Sequence, residues 1–159
     1  VPNAQQIART ITTTMQTIDP SGSELYAQNL AAYLQELAAL EIELQALAST
    51  AEHREFIATH NAWSYLSEHY GFQLVGTYEP VEGQQPAAAD LKELQDIVRQ
   101  YQLTTFYAEP QKVSSNITRF VQDELGLDVR ALDPVGGSPE RDSYSTLMRW
   151  NISNLSEEL

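Results

Sequence analysis

From residue 55 onward, four short β-like runs alternate with segments of helical period, and few folds accommodate that pattern. Glu55 to Thr59 (EFIAT), Gln73 to Tyr78 (QLVGTY), Thr104 to Ala108 (TTFYA) and Asp128 to Leu132 (DVRAL) have strand length and strand composition. Between the first two, Ala62 to Tyr70 reads as a helix ended by Gly71. Leu91, Leu94, Val98 and Tyr101 mark a second helix. Val113, Ile117, Phe120, Val121 and Leu125 mark a third, closed by Gly126. Tyr144, Met148, Ile152, Leu155 and Leu159 form a last stripe. Strands separated by helices require crossover connections, which makes the sheet parallel, the crossovers right-handed and both faces covered. The prediction is an α/β domain of three layers around a four-stranded parallel sheet, with the strands lying in the order of the runs.

Two helices precede this pattern. Ile7, Ile11, Met15 and Ile18 recur at helical spacing, Pro2 suits a first turn, and Asp19-Pro20 ends the run. Ser21-Gly22-Ser23 opens a longer helix. Tyr26, Leu30, Leu34, Leu37, Leu44 and Leu47 share a stripe on it, with Glu36, Glu41 and Glu43 beside them, as in an amphipathic core helix.

In an open parallel sheet, ligands bind outside the carboxyl ends of the strands. The residues that follow the four runs are His60, Glu79, Glu109 and Asp133. One imidazole and three carboxylates are thus expected along one edge, a donor set that suits zinc, manganese or iron. The carboxylates could instead be helix caps, and a lone histidine can be structural. His53 precedes the first strand and His69 lies about two turns beyond His60, so both are expected at the surface.

The remaining features narrow the choice by exclusion. The chain has 159 residues, 42% of them apolar, which suits one ordinary core. No apolar run reaches the ~20 residues of a membrane span, and Val1-Pro2-Asn3 does not read as a signal peptide. There is no cysteine, so thiolate chemistry and disulfides are excluded. Twenty-two acids against nine bases give a net charge of -13, which repels phosphate backbones and argues against nucleic acid. The Walker loop, G-x-G-x-x-G, H-E-x-x-H and G-x-S-x-G patterns are all absent. Three N-x-[ST] triplets, beginning at Asn116, Asn151 and Asn154, fall on predicted helices and are expected to be chance matches.

The stretch His60-Asn61-Ala62-Trp63-Ser64-Tyr65-Leu66, with Tyr70-Gly71-Phe72 after it, resembles a segment of the metal-receptor proteins of zinc and manganese ABC importers (cluster A-I). Ala108-Glu109-Pro110-Gln111, Leu132-Asp133-Pro134 and Asp142-Ser143-Tyr144, with Leu147, Met148 and Asn151, extend the resemblance. Tyr26, Asn29 and Tyr33 fit the family's long helix. The resemblance implies two α/β lobes joined by a rigid linker helix, with metal held between them by two ligands from each lobe. It makes His60 and Asp133 the metal ligands of a C-terminal lobe, with Glu109 a candidate for a supporting contact behind them. A histidine at position 60 favours zinc, with manganese the alternative. Residues 1–20 then correspond to the linker helix and 21–159 to the lobe.

The implied partners are the membrane subunit of an ABC importer and the missing N-terminal lobe, in a periplasmic or lipid-anchored extracytoplasmic setting. Self-association through the uncovered linker helix is a further expectation. Two other readings compete with metal capture. One is a small metal-dependent hydrolase using His60, Glu109 and Asp133, with Glu109 as general base, which leaves zinc one protein ligand short of the usual three. The other is a dimerisation or adhesion module without catalysis.

Overall fold

The computed structural model describes residues 1–79, 87–111, 113 and 115–156. It falls into two compact units, Val1–Ala46 and Leu47–Leu159. The first contains α1 (Pro2–Ile18) and most of α2 (Ser23–Thr50). Proline at the start of α1 gives up an amide hydrogen that would have no helical acceptor. Asp19 ends the helix and takes over the turn that follows. Its carboxylate accepts from the Ser21 and Gly22 amides at 3.1 and 3.3 Å, and from the Tyr26 hydroxyl at 2.7 Å. The Ser21 and Tyr26 hydroxyls, with those two amides, hold its carboxyl below the usual carboxylate range. No residue of α1 is buried. The stripe expected on α2 holds at Leu37, Leu44 and Leu47, and Leu40, which was not expected there, is buried with them.

The second unit is built on β1 (Glu55–Ala58), β2 (Gln73–Thr77), β3 (Thr105–Ala108) and β4 (Asp128–Ala131), all parallel, as the alternation of periods requires. Their connections carry α3 (Ser64–Tyr70), α4 (Ala88–Tyr101) and α5 (Ser115–Phe120), and α6 (Tyr144–Ser156) follows β4. The third predicted helix begins later than Val113, which is 42% exposed, and its last turn, Val121–Leu125, widens to π geometry before Gly126. Leu159, expected on the last stripe, lies outside the described residues.

The spatial order of the strands corrects the expectation. It is β2-β1-β3-β4, so β1 and not β2 stands beside β3. Burial explains the arrangement. β3 is buried along its whole length and β1 along three of its four residues, whereas β2 and β4 carry polar residues suited to edges, such as Gln73, Asp128 and Arg130. On one face Ile57, Phe106 and Ala108 pack with Leu94 of α4 and with Ile117, Val121 and Leu125. On the other, Phe56, Ala58 and Tyr107 are buried, and Phe56 meets Tyr107 edge to face at 6.1 Å. Burial of both faces accounts for continuous apolar runs in β1 and β3 rather than simple alternation.

Candidate metal centre

The order 2-1-3-4 creates a switch point between β1 and β3, where the chain leaves in opposite directions, the place at which open parallel sheets bind their ligands. The ladder bonds run up to this edge and stop. The Thr59 amide donates to the Tyr107 carbonyl at 2.9 Å, and the Leu132 amide to the Ala108 carbonyl at 3.0 Å. His60, Glu109 and Asp133 are therefore each the first residue past the ladder on β1, β3 and β4. The sequence reading placed them there from strand length alone.

Beyond β1 the chain turns sharply. The Ala62 amide bonds back to the His60 carbonyl at 3.1 Å, and the Ser64 hydroxyl donates to Asn61 Oδ1 at 2.7 Å as α3 begins. This leaves the His60 side chain one-third exposed, with its Nδ1 in contact with Glu109 Oε1. Glu109 is buried. A carboxylate against Nδ1 favours a proton on that nitrogen and leaves Nε2 as the atom that could ligate a metal, an arrangement common behind metal-bound histidines. Glu109 was a candidate for a supporting contact, and the structure places its carboxylate against the His60 ring.

Asp133 is fully buried and densely bonded. Its Oδ1 accepts from the Val135 amide at 3.0 Å, the Gly136 amide at 2.9 Å and Gln111 Nε2 at 3.4 Å. Its Oδ2 accepts from Arg141 Nε at 2.8 Å. Burial by itself would raise the carboxyl's pKa. The amides of Gly136 and Val135, with Gln111 and Arg141, outweigh it and hold the group below the usual carboxylate range. Pro134 has no amide hydrogen, so the two residues after it supply the donors. Gly136 has φ +77°, and a Cβ there would lie 2.7 Å from the Arg141 carbonyl, so the turn around the carboxylate requires glycine. The backbone of Asp133 is pinned by a two-way amide pairing with Asn151, which accepts its N–H and donates to its carbonyl, both at 2.8 Å. Asn151 is buried, so its N-x-[ST] match is not an accessible acceptor.

Arg141 and Gln111 had no assigned role in the sequence reading. Gln111 belonged to the Ala108-Glu109-Pro110-Gln111 resemblance, and that was its only signal. Arg141 stood in no motif, and only the fold closes the eight-residue gap to Asp133. Glu79 follows β2, the outer strand, and is exposed. His53 and His69 are exposed, as expected, and the His69 ring rests against Tyr70. Among the described residues, no three His, Asp or Glu side chains converge to hold a metal ion. His60 and Asp133 stand two strands apart, roughly 10 Å between backbones. His60 and Asp133 are residue types that could hold part of a metal site, one imidazole and one carboxylate.

The family model described as zinc-uptake complex component A, periplasmic (ZnuA), matches residues 1–158. The chain belongs to the ZnuA family. Among its relatives, the high-affinity zinc uptake system protein ZnuA of Bacillus subtilis is 29% identical over 98% of this chain and 50% of its own length. The manganese-binding lipoprotein MntA of Halalkalibacterium halodurans is 30% identical over 96% of this chain and 52% of its own. The crystal structure of the metal-dependent lipoprotein YcdH from Bacillus subtilis superposes with a TM-score of 0.84 at 28% identity, covering 98% of this chain and 60% of that one. A crystal structure of a ZnuA protein gives 0.79 at 30% identity, over 98% and 58%. The chain spans about half the length of the curated ZnuA-family relatives it matches. Among the described residues, no helix is long and apolar enough to cross a membrane.

Proposed function

We propose that this chain is the metal-capture lobe of a periplasmic or lipid-anchored solute-binding receptor, which hands zinc to an ABC importer and performs no chemistry of its own. The observation that carries this reading is the contact of His60 with Glu109 at the switch point of the sheet, beside Asp133. His60 Nε2 and one oxygen of Asp133 supply two ligands, and Glu109 orients the imidazole. Zinc is the favoured cargo because imidazole is a better ligand for it than for manganese. The zinc and manganese names of the relatives support the same pair of metals. Residues 1–20 serve as the linker helix and 21–159 as the lobe. The hydrolase reading is weaker, because the general base it needs, Glu109, is already engaged with His60.

Two ligands leave half of a tetrahedral shell to water, so zinc binds this chain weakly and through His60. Calorimetric titration is expected to show weak saturable binding that His60→Ala abolishes and His69→Ala leaves intact. Binding unchanged by His60→Ala would show that the site lies elsewhere.

Ile7, Ile11, Met15 and Ile18 on α1 are 59%, 57%, 39% and 74% exposed, an apolar row that we assign to contact with the N-terminal lobe of the whole receptor. In this chain alone the row drives self-association. Light scattering is expected to give a mass that rises with concentration and falls back toward 17.8 kDa on Ile11→Glu. A concentration-independent monomer would contradict this.

A further inference from the structure

We infer that Arg141 is a built-in counter-cation of Asp133, which zinc must displace or share, and that it restrains the affinity of the metal centre. The inference rests on the reading of Asp133 as a ligand. A carboxylate offers about four lone-pair directions. On Oδ1, the Val135 and Gly136 amides fill two, with Gln111 crowding the same oxygen. On Oδ2, Arg141 Nε fills one. One direction on Oδ2 remains, so Asp133 can give a metal only a single-oxygen bond, and gives it beside a fixed positive charge. The guanidinium does not hang from the carboxylate alone. It lies over the Trp150 ring, 4.3 Å from the centroid, with only 14% of the side chain exposed. The Arg141 carbonyl also accepts the Gly137 amide at 3.2 Å, which closes the Asp133–Arg141 loop on itself.

The two carboxylate oxygens therefore have different duties. Oδ1 is clamped by donors that do not depend on Arg141, and these keep the carboxylate in place. Oδ2 faces Arg141, the one charged partner among the described residues. Removing that charge leaves the ligand positioned but more negative, so divalent cations bind more tightly. A residue serving only the fold would have the opposite effect, because its loss would misplace the ligand. Tight capture and ready release conflict in any delivery protein, and an internal cation beside the ligand shifts the balance toward release.

The test uses Arg141→Gln, which keeps a hydrogen-bond donor and drops the charge, and Arg141→Lys, which keeps the charge. Zinc binding is read by calorimetry and by the zinc-induced rise in melting temperature. Arg141→Gln is expected to bind zinc roughly tenfold more tightly, the scale of one charge acting over a few ångström in a partly solvated site. Its melting temperature without metal should fall and its gain with zinc should grow, while Arg141→Lys should stay near the parent affinity. In the unsubstituted chain, the NMR signal of the Arg141 Nε–H should move on addition of zinc, a measurement that needs no variant to fold. His60-dependent binding with Arg141→Gln equal to or weaker than the parent, or an unmoved Nε–H signal at saturating zinc, overturns the inference while leaving the metal centre standing. Zinc binding insensitive to His60→Ala overturns the metal centre and this inference with it.

Discussion

Asp133→Ala is expected to cost the fold about 3–5 kcal/mol, the usual penalty for removing one partner of a buried ion pair. Three losses add together. The Arg141 side chain, 14% exposed, keeps its charge and loses the carboxylate that balanced it. The amides of Val135 and Gly136 lose their acceptor. The loop to Arg141 is then left with its own backbone bonds, Gly137 N–H to the Arg141 carbonyl and Arg141 N–H to the Ser138 carbonyl, and the stacking of Arg141 on Trp150. A fall in melting temperature of roughly 10 °C follows for a chain of this size. The acid limb of the stability curve changes with it. Asp133 has its carboxyl pKa depressed in the fold, so its contribution is present above the unfolded value of about 3.9 and is lost as pH falls through the folded value. Thermal melts between pH 2 and 7 should show a parent that weakens below about pH 4 more steeply than the variant does. A variant with the parent's melting temperature and the parent's acid limb would show that the carboxylate is not a structural anchor. Asn151 is expected to keep its hold on the backbone in either case, since it bonds the Asp133 main chain and not its carboxylate.

Phe106→Ala is the other large effect, about 3–5 kcal/mol for a phenylalanine removed from a closed core. Phe106 is fully buried at the centre of the sheet, paired in register with Ile57 of β1 and Val129 of β4. The same cluster includes Leu94 and Val121, so the cavity opens against both α4 and the turn after α5. These elements approach the ring from separate crossovers and cannot all close on the gap at once. The cost should appear as a shift in the urea midpoint at nearly constant slope. His60 and Glu109 lie one residue beyond the last ladder bonds of β1 and β3, so the folded fraction of the variant should still bind zinc as the parent does. A midpoint shift below about 1 kcal/mol, or a folded variant that no longer binds zinc, would contradict this.

The placement of His60, Glu109 and Asp133 at the carboxyl edge was legible in the chain. Strand length located the last ladder residue, and a parallel sheet sends the next residue to the binding edge, so His60, Glu109 and Asp133 could be named from the chain alone. Gly71 and Asp19 carried the helix ends for local reasons of the same kind. Each needs only a few neighbouring residues, and nearby residues are what a pattern in a chain encodes. The poor match of Val113 to its stripe has a local cause too. A period fits an extra apolar residue just ahead of a helix as readily as one inside it.

Other properties waited for the tertiary structure. Spatial strand order depends on which strands are buried on both faces, which is a property of the packed sheet, and the order of the runs misjudged it. That order in turn brings β1 beside β3 and so sets the His60 imidazole against the Glu109 carboxylate. The partners of Asp133 come from the β3 exit, the loop after β4 and α6. Gln111, Arg141 and Asn151 stand 22, 8 and 18 residues away in the chain. No periodicity links such positions, because their meeting is fixed by crossover geometry and close packing rather than by local conformation. The sequence by itself determined the α/β class, the parallel sheet and the residue types offered at its carboxyl edge. Only the tertiary structure decided that Asp133 reaches that edge buried, with Gln111 added on one oxygen and Arg141 on the other, because bonds between residues distant in the chain form only once the sheet has closed.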